Sequence, residues 1–477
     1  MLNVIFIILL LCSIQIQCNE NPKYKSNEEL KKFMEVFNKT SEFYNVSARL
    51  YTIGKSENNF PLQVIEITAV NDTEKLGVPN VKLIANIHGN EPAGREVLIR
   101  FLEYLRENYR KDKTVTWLLE NTKIHVLPAM NPDGFDQSSP VKDGTKGREN
   151  RNKIDLNRSF PDYFYPDHYK NNKKAAESEA VIQWMKKVPF VLSAGFHGGS
   201  LVANYPFDAV KNTVSGQQSK ESKTSDDDVF VHLAKTYSLN HKTMHKNRCD
   251  NNDKYFKDGI ANGATWYIVH GGMGDYSYAY EGCMEVSLEI TCWKYPEPTE
   301  LENIWEENKN ALIEYCKKAN MGVTGQILNS ENNKPIEGAQ LKIKGRDMTF
   351  KSKTKGQFWR ILLPGNYTIQ VKADGYHDTQ VEFKVKKQTS EFPKLTFLRI
   401  RMLNSSISTT TRSTTSTTAS PKTTTKSTTI TREMFRNIAE KQPRLAYSTL
   451  SSGSFSFGSL KFFERLLVAL TFYLCLF

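Results

Sequence analysis

The chain has 477 residues, 39% of them hydrophobic and 24% charged, an ordinary globular composition on a chain too long for one core. Two folded domains plus some unstructured chain are expected. The formal charge of +12 does not mark a nucleic-acid binder, because Lys and Arg are spread along the chain and several lie in a non-globular tail.

The chain opens with "LNVIFIILLLCSIQIQC", an apolar run too short to span a membrane comfortably, followed by the polar "NENPKYKSNEE". The pair reads as a secretory signal peptide over residues 1–18.

From about 22 to 319, strand-like apolar runs alternate with helical patterns. The runs are "VKLIANI", "KIHVLPAM", "PFVLSAGFH" and "CMEVSLEIT"; the helical patterns include "AGREVLIRFLEYLREN", "AAESEAVIQWMKKV" and "LENIWEENKNALIEYCKKA". This alternation predicts an α/β domain, a mixed and mainly parallel sheet with helices on both faces. Sites on such sheets lie at the carboxyl ends of strands. His88, Asn131 and His197 each follow directly after a strand-like run.

In "NIHGNEPAGRE" a buried strand ends on His88 and a carboxylate, Glu91, comes three residues later. Either residue alone is more often a core or loop side chain than a ligand. Together they form a two-point ligand set on one turn. A catalytic zinc site needs a third protein ligand and an open position. His197, in "SAGFHGGSLVANYPFD", ends another strand and precedes glycines that would let a substrate approach the backbone. Two His and one Glu form a ligand set used for metal-assisted hydrolysis.

From about 321 to 402 short strands alternate with Gly and Pro turns: "GVTGQIL", "AQLKIKG", "GQFWRILLPGNYTIQVKADGY" and "TQVEFKV". A small β-sandwich is expected there, without an active site of its own. Residues 403–450 include "SSISTTTRSTTSTTASPKTTTKSTTIT", which has almost nothing to bury and reads as an O-glycosylated stalk and linker. The last segment, 451–477, combines the small residues Ser451, Ser452 and Gly453, a partly polar spacer and the apolar "LLVALTFYLCLF". Those are the parts of a GPI-attachment signal whose tail is removed, with a tail anchor as the alternative. Folded domains held outside the cell on a membrane, as a monomer, are the expected arrangement.

Cys12 and Cys475 fall in removable segments and Cys18 lies near the expected cleavage point, leaving Cys249, Cys283, Cys292 and Cys316. In an oxidising compartment four cysteines predict two disulfides, with three pairings open. Sequons at Asn38, Asn45, Asn71, Asn366 and Asn404 agree with export, and Asn157 also fits the pattern.

The blocks "HGNEPAGRE", "NPDGF", "GRENRNKIDLNRSFPD", "HGGSLVANYPFD", "NGATWYIVHGGMGDYSY" and "EVSLEITCWKYP" resemble, in order, those of the zinc metallocarboxypeptidases, specifically the regulatory N/E branch. The resemblance covers nearly all of residues 22–402, including a transthyretin-like β domain. It implies one zinc held by His88, Glu91 and His197, and a terminal carboxylate held by Asn157 and Arg158, whose guanidinium suits that task. Arg148 would polarise the scissile carbonyl, and Tyr278, the last residue of "GDYSY", would close over substrate. Glu289 would be the general acid/base, its pKa raised by apolar neighbours. The nearby Glu285 shares its facing, but the family pattern selects Glu289.

Asp208, with Asn204 beside it in "NYPFD", would form the substrate pocket and select C-terminal Lys or Arg by charge pairing. The implied reaction is attack of a water activated by zinc and Glu289, which then passes the proton to the leaving amine. A glycan at Asn157 would not fit such a site. The resemblance also pairs Cys249 with Cys292, leaving Cys283 and Cys316 unassigned. The pattern departs at Gly274, where the family often has Gln, and at "SGQQSKESKTSDDDVF" near the rim. No pro-segment of useful length follows the signal, so activity without proteolytic activation is expected. The rivals are a non-catalytic surface protein that only binds peptides and a soluble, acid-tuned carboxypeptidase of the secretory granule.

Overall fold

A computed structural model describes residues 22–406 apart from 71–74, 172, 247, 248 and 250–254. The signal peptide, the stalk beyond residue 406, the anchor signal and the sequon at Asn71 lie outside the described residues.

The first domain is built on an eight-stranded sheet. Its strands are β1 (Ser47–Lys55), β2 (Pro61–Thr68), β3 (Asn80–Ala85), β4 (Lys123–Leu127), β5 (Phe190–His197), β6 (Ser200–Tyr205), β7 (Ile260–Asn262) and β8 (Met284–Thr291). The order is β1-β2-β4-β3-β5-β8-β6-β7. The centre, β4-β3-β5-β8, is parallel, while β1 and β2 join antiparallel at one edge and β6 lies antiparallel to β8.

Both faces of the sheet are covered, which explains why β3 and β5 are buried at every position. The helices of nine or more residues are α1 (Asn27–Thr40), α2 (Ala93–Asn108), α3 (Lys113–Asn121), α4 (Ala176–Lys187), α5 (Asp227–Asn240), α6 (Met273–Glu281) and α7 (Leu301–Lys317). Val81 and Leu83 of β3 pack in one core with Val97 and Leu98 of α2 and Leu312 of α7. Ile84 faces the opposite core, with Val181 and Trp184 of α4 and Met273 of α6. Alternate residues of one strand therefore serve two cores, the period expected of an extended chain.

The second domain packs a four-stranded sheet, β11-β10-β13-β14, on a three-stranded one, β12-β9-β15. Its strands are β9 (Val323–Asn329), β10 (Gln340–Ile343), β11 (Thr349–Lys351), β12 (Gln357–Arg360), β13 (Gly365–Lys372), β14 (Thr379–Val385) and β15 (Thr396–Met402). Val323, Ile327, Leu341, Ile369 and Ile400 fill the space between the sheets, so this is the expected β-sandwich.

The two domains are joined through a buried carboxylate. Asp226, which precedes α5 and is wholly buried, accepts from Tyr278 Oη at 2.7 Å and from Arg346 Nη1 at 2.8 Å, and pairs with Arg360 Nη2. Both arginines belong to the sandwich. Among the described residues one disulfide, Cys249–Cys292, is present, whereas Cys283 and Cys316 are buried free thiols. The expectation of two disulfides is thereby corrected: each of these two side chains is enclosed by core packing rather than bonded to the other.

Candidate metal centre and substrate pocket

The site forms where the parallel strands end. After β3 the chain turns through Asn86, in the left-handed region at φ 59°, where its short amide can support the turn. Asn86 Nδ2 donates to the carbonyls of His88 (2.8 Å) and Gly89 (3.1 Å). Gly89 is required by close approach: a Cβ there would lie 2.1 Å from the Gly134 carbonyl carbon and 2.5 Å from the Gly147 oxygen. This packing turns His88 and Glu91 toward the end of β5, which carries His197.

His88 Nδ1 and Glu91 Oε2 are 3.0 Å apart, His197 Nδ1 and Glu91 Oε2 are 3.0 Å apart, and the two histidine nitrogens are 3.3 Å apart. All three residues are buried, and among the described residues no other group of three or more such side chains could hold a metal ion. A tetrahedral zinc with ligand bonds of ~2.0–2.1 Å sets its ligand atoms about 3.3 Å apart, so this donor set fits zinc with only small adjustment.

His88 is oriented from behind. Its Nε2 lies 3.2 Å from Asp155 Oδ1, so the carboxylate fixes the ring with Nδ1 toward the other ligands. Asp155 also accepts from Arg148 Nε at 3.2 Å and Nη2 at 3.0 Å. Burial opposes its ionisation, but His88, Arg148 and Arg158 prevail and hold the carboxyl below its ordinary range. The sequence reading missed Asp155. Its signal was the position two residues before Asn157 in "DLNRSFP".

Arg148 Nη1 reaches within 3.3 Å of His88 Nδ1 and 3.4 Å of Glu91 Oε1, so its guanidinium borders the ligand set. Asn157 Oδ1 accepts from Met273 N at 3.0 Å, and Arg158 Nη1 donates to the Asn157 carbonyl at 2.9 Å. Glu289 is the register partner of His197 across β5 and β8, which puts both side chains on one sheet face at the strand ends. Glu285 lies on the same face but deeper. It binds Lys82 Nζ at 2.9 Å with both side chains fully buried, and accepts from Ser193 Oγ and Ser277 Oγ at 2.8 Å each. Its ion pair holds Glu285 inside the sheet, away from the mouth of the site.

Asp208 is buried, and its Oδ1 accepts from Asn204 Nδ2 at 2.8 Å. Burial pushes its carboxyl up to about 6, against the opposing influence of Asn204 and Arg158. Asp275 lies directly behind, accepting from the backbone N–H groups of Asp208 (3.0 Å) and Ala209 (2.9 Å). Its carboxyl is raised well above the ordinary value by burial and by Asp208.

Tyr278 does not face this site. It is fully buried on α6, its ring packs against Phe207 and Phe230, and its hydroxyl donates to Asp226. A side chain so enclosed cannot swing over a substrate, so the expectation for Tyr278 is corrected. Another tyrosine, Tyr267, is half-buried within the electrostatic reach of the site. Burial and the charge of Glu289 raise its phenol, and Arg158, Arg148 and Asp208 act on it as well, so its hydroxyl lies among the charged groups of the site.

The zinc carboxypeptidase family (Peptidase M14) matches residues 33–311, and the carboxypeptidase regulatory-like domain matches 322–396. The chain is 39% identical to carboxypeptidase M of Mus musculus over 76% of its own length and 82% of that protein. It is 38% identical to the carboxypeptidase N catalytic chain of Rattus norvegicus, over 72% and 82%. The chain belongs to the zinc carboxypeptidase family. Carboxypeptidase D of Homo sapiens is 40% identical over 77% of this chain but only 26% of that longer protein.

Among solved structures, thrombin activatable fibrinolysis inhibitor matches this carboxypeptidase at TM-score 0.50 and 18% identity over 62% of the chain and 75% of its own. That likeness shows the fold. The family implies zinc, and the His88–Glu91–His197 group is the set that could bind it. Among the described residues no helix is long and apolar enough to cross a membrane.

Proposed function

We propose that this zinc carboxypeptidase removes C-terminal Lys or Arg from extracellular peptides and proteins. The observation that carries the reading is Asp208, a buried carboxylate whose Oδ1 is held by Asn204. A buried carboxylate without a cationic side chain opposite is costly, and a substrate's ammonium or guanidinium would relieve that cost.

Zinc, when held by His88, Glu91 and His197, supplies Lewis-acid polarisation of the scissile carbonyl and lowers the pKa of a water. Glu289 takes the proton from the attacking water and returns it to the departing amine nitrogen. Arg148 offers N–H donors to the carbonyl oxygen as negative charge builds there. Asn157 and Arg158 hold the terminal α-carboxylate, which restricts cleavage to the last residue. Tyr267, rather than Tyr278, covers the bound residue. Met273 N engages Asn157 Oδ1 and leaves the Nδ2 group for the substrate carboxylate, where a glycan would not fit, so the sequon stays unglycosylated in this reading. After export directed by a signal peptide, a stalk and a GPI anchor would hold the monomeric enzyme on the outer cell surface.

Blocked dipeptides ending in Arg, Lys, Phe or Glu test the reading directly. Chelator-sensitive release of Arg and Lys, with little Phe or Glu, is expected. Folded, zinc-loaded protein that cleaves none of them would instead be a peptide-binding protein without activity.

A further inference from the structure

The turn between α1 and β1 leaves a large ring in water beside an exposed asparagine. Ser41–Tyr44 form one turn of 3-10 helix, which Asn45 ends in the left-handed region at φ 57° and ψ 29°, where asparagine is one of the few side chains tolerated. Asn45 N donates to the Glu42 carbonyl at 3.0 Å. The neighbours hold this turn in place: Arg106 lies over the rings of Phe37 (4.5 Å) and Tyr44 (4.6 Å), and Val46 is buried.

Phe43 is 70% exposed, and Asn45 and Ser47 are exposed too. A lone exposed ring is ordinary. This one stands two residues before Asn45-Val46-Ser47, an N-glycosylation sequon, and Ser47 opens β1, the edge strand of the sheet, where a bulky group has room. The other sequons within the described residues lack that ring. Two residues before Asn38, Asn157, Asn366 and Asn404 stand Val36, Asp155, Pro364 and Met402. Asn38 is also committed, its Oδ1 accepting from Leu50 N at 2.8 Å and so tying α1 to β1.

We infer that Asn45 is an N-glycosylation site and that Phe43 is the platform on which the first sugar of its glycan rests. The inference rests on the reading that the chain enters the secretory pathway. The donor is an oligosaccharide carried on a lipid diphosphate. Asn45 Nδ2 bonds to C1 of the first sugar, the bond from C1 to the diphosphate oxygen breaks, and the amide proton leaves with the released lipid diphosphate. A sugar ring presents C–H groups on one face, and these suit the negative face of an aromatic ring. Covering Phe43 removes apolar surface from water, and a turn already fixed keeps the ordering cost small.

The test uses the full chain exported from cultured eukaryotic cells. Enzymatic removal of whole N-glycans in heavy-oxygen water converts each occupied Asn to a labelled Asp, which mass spectrometry should find at position 45 in the native chain and not in Ser47→Ala. Melting temperatures are then compared between protein trimmed to the first sugar and protein stripped of it, in native and Phe43→Ala chains, so that other glycans cancel. Both substituted positions are exposed, so neither change disturbs the core. Stripping should cost the native chain about 1–2 °C more than it costs Phe43→Ala. An equal loss in both overturns the platform. An unlabelled Asn45 on exported protein, or a label that persists in Ser47→Ala, overturns the site. Protein retained inside the cell contradicts the export reading instead, and the same chain behind a proven secretion signal then decides Asn45.

Discussion

His197 and Glu289 are direct register partners on adjacent parallel strands, β5 and β8. Side chains so paired point to the same sheet face, so the ligand and the proposed base are set by backbone pairing rather than by a loop. The same register puts Glu285 opposite Ser193, four residues and two pleat repeats deeper, where Lys82 neutralises it. Two glutamates four residues apart on one strand thereby acquire different roles.

Asp155 fixes the His88 ring through Nε2. Asp155→Asn is expected to weaken zinc binding by about 10–100-fold, the usual effect of removing such a partner. Competition against a zinc-selective chelator measures it, and unchanged affinity would show that His88 needs no such support.

The two tyrosines separate by readout. Tyr267→Phe should lower kcat/KM with little change in melting temperature. Tyr278→Phe should do the reverse, costing about 1.5–3 kcal/mol for a lost hydrogen bond to a charged group, because its hydroxyl serves Asp226 in the core. A kinetic defect confined to Tyr278→Phe would restore the sequence-based assignment.

Binding of basic substrates should weaken at acid pH. The Asp208 carboxyl, raised by burial to about 6, is protonated below that value and then carries no charge to attract a cation. Arg158, Glu285 and Asp275 are the other charged or titratable groups acting on it. KM for Arg and Lys substrates should therefore rise as pH falls through about 6, and Asp208→Asn should flatten that rise. A pH-independent KM in the native enzyme would place the cation elsewhere.

Asp226 joins the domains by accepting from Tyr278, Arg346 and Arg360. Asp226→Ala leaves Arg360, itself buried, without its carboxylate, so a loss of about 3–5 kcal/mol is expected by denaturant unfolding. Although burial opposes it, the arginines and Tyr278 hold the Asp226 carboxyl below its ordinary value. Its contribution should be full above about pH 4 and decline as the pH falls further. A variant as stable as the native protein would show that the domains do not depend on this contact.

Much of this architecture was legible in the sequence because the signals are local. The run "AGREVLIRFLEYLREN" coincides with α2, and "CMEVSLEIT" carries β8 with both glutamates on one face. His88, Glu91 and His197 stood at strand ends and meet within 3.3 Å. The β1–β2 hairpin was not picked out: β1, at the sheet edge, has no fully buried position, and β2, though mostly buried, lacks a long apolar run. Tyr267 was not singled out, because which tyrosine faces the cleft depends on how the segment between β7 and α6 folds back, a tertiary property. Asp155 and Asp226 were not singled out, because only packing reveals the cations that surround them.

The central claim is that zinc held by His88, Glu91 and His197 works together with Glu289. Zinc content and hydrolysis of an Arg-ending dipeptide, measured on the same preparations of native enzyme and Glu289→Gln, test it most directly. The account predicts one zinc per chain in both, with cleavage lost at least 1,000-fold in the variant. A Glu289→Gln enzyme that keeps its zinc and still cleaves at near-native rate would contradict it.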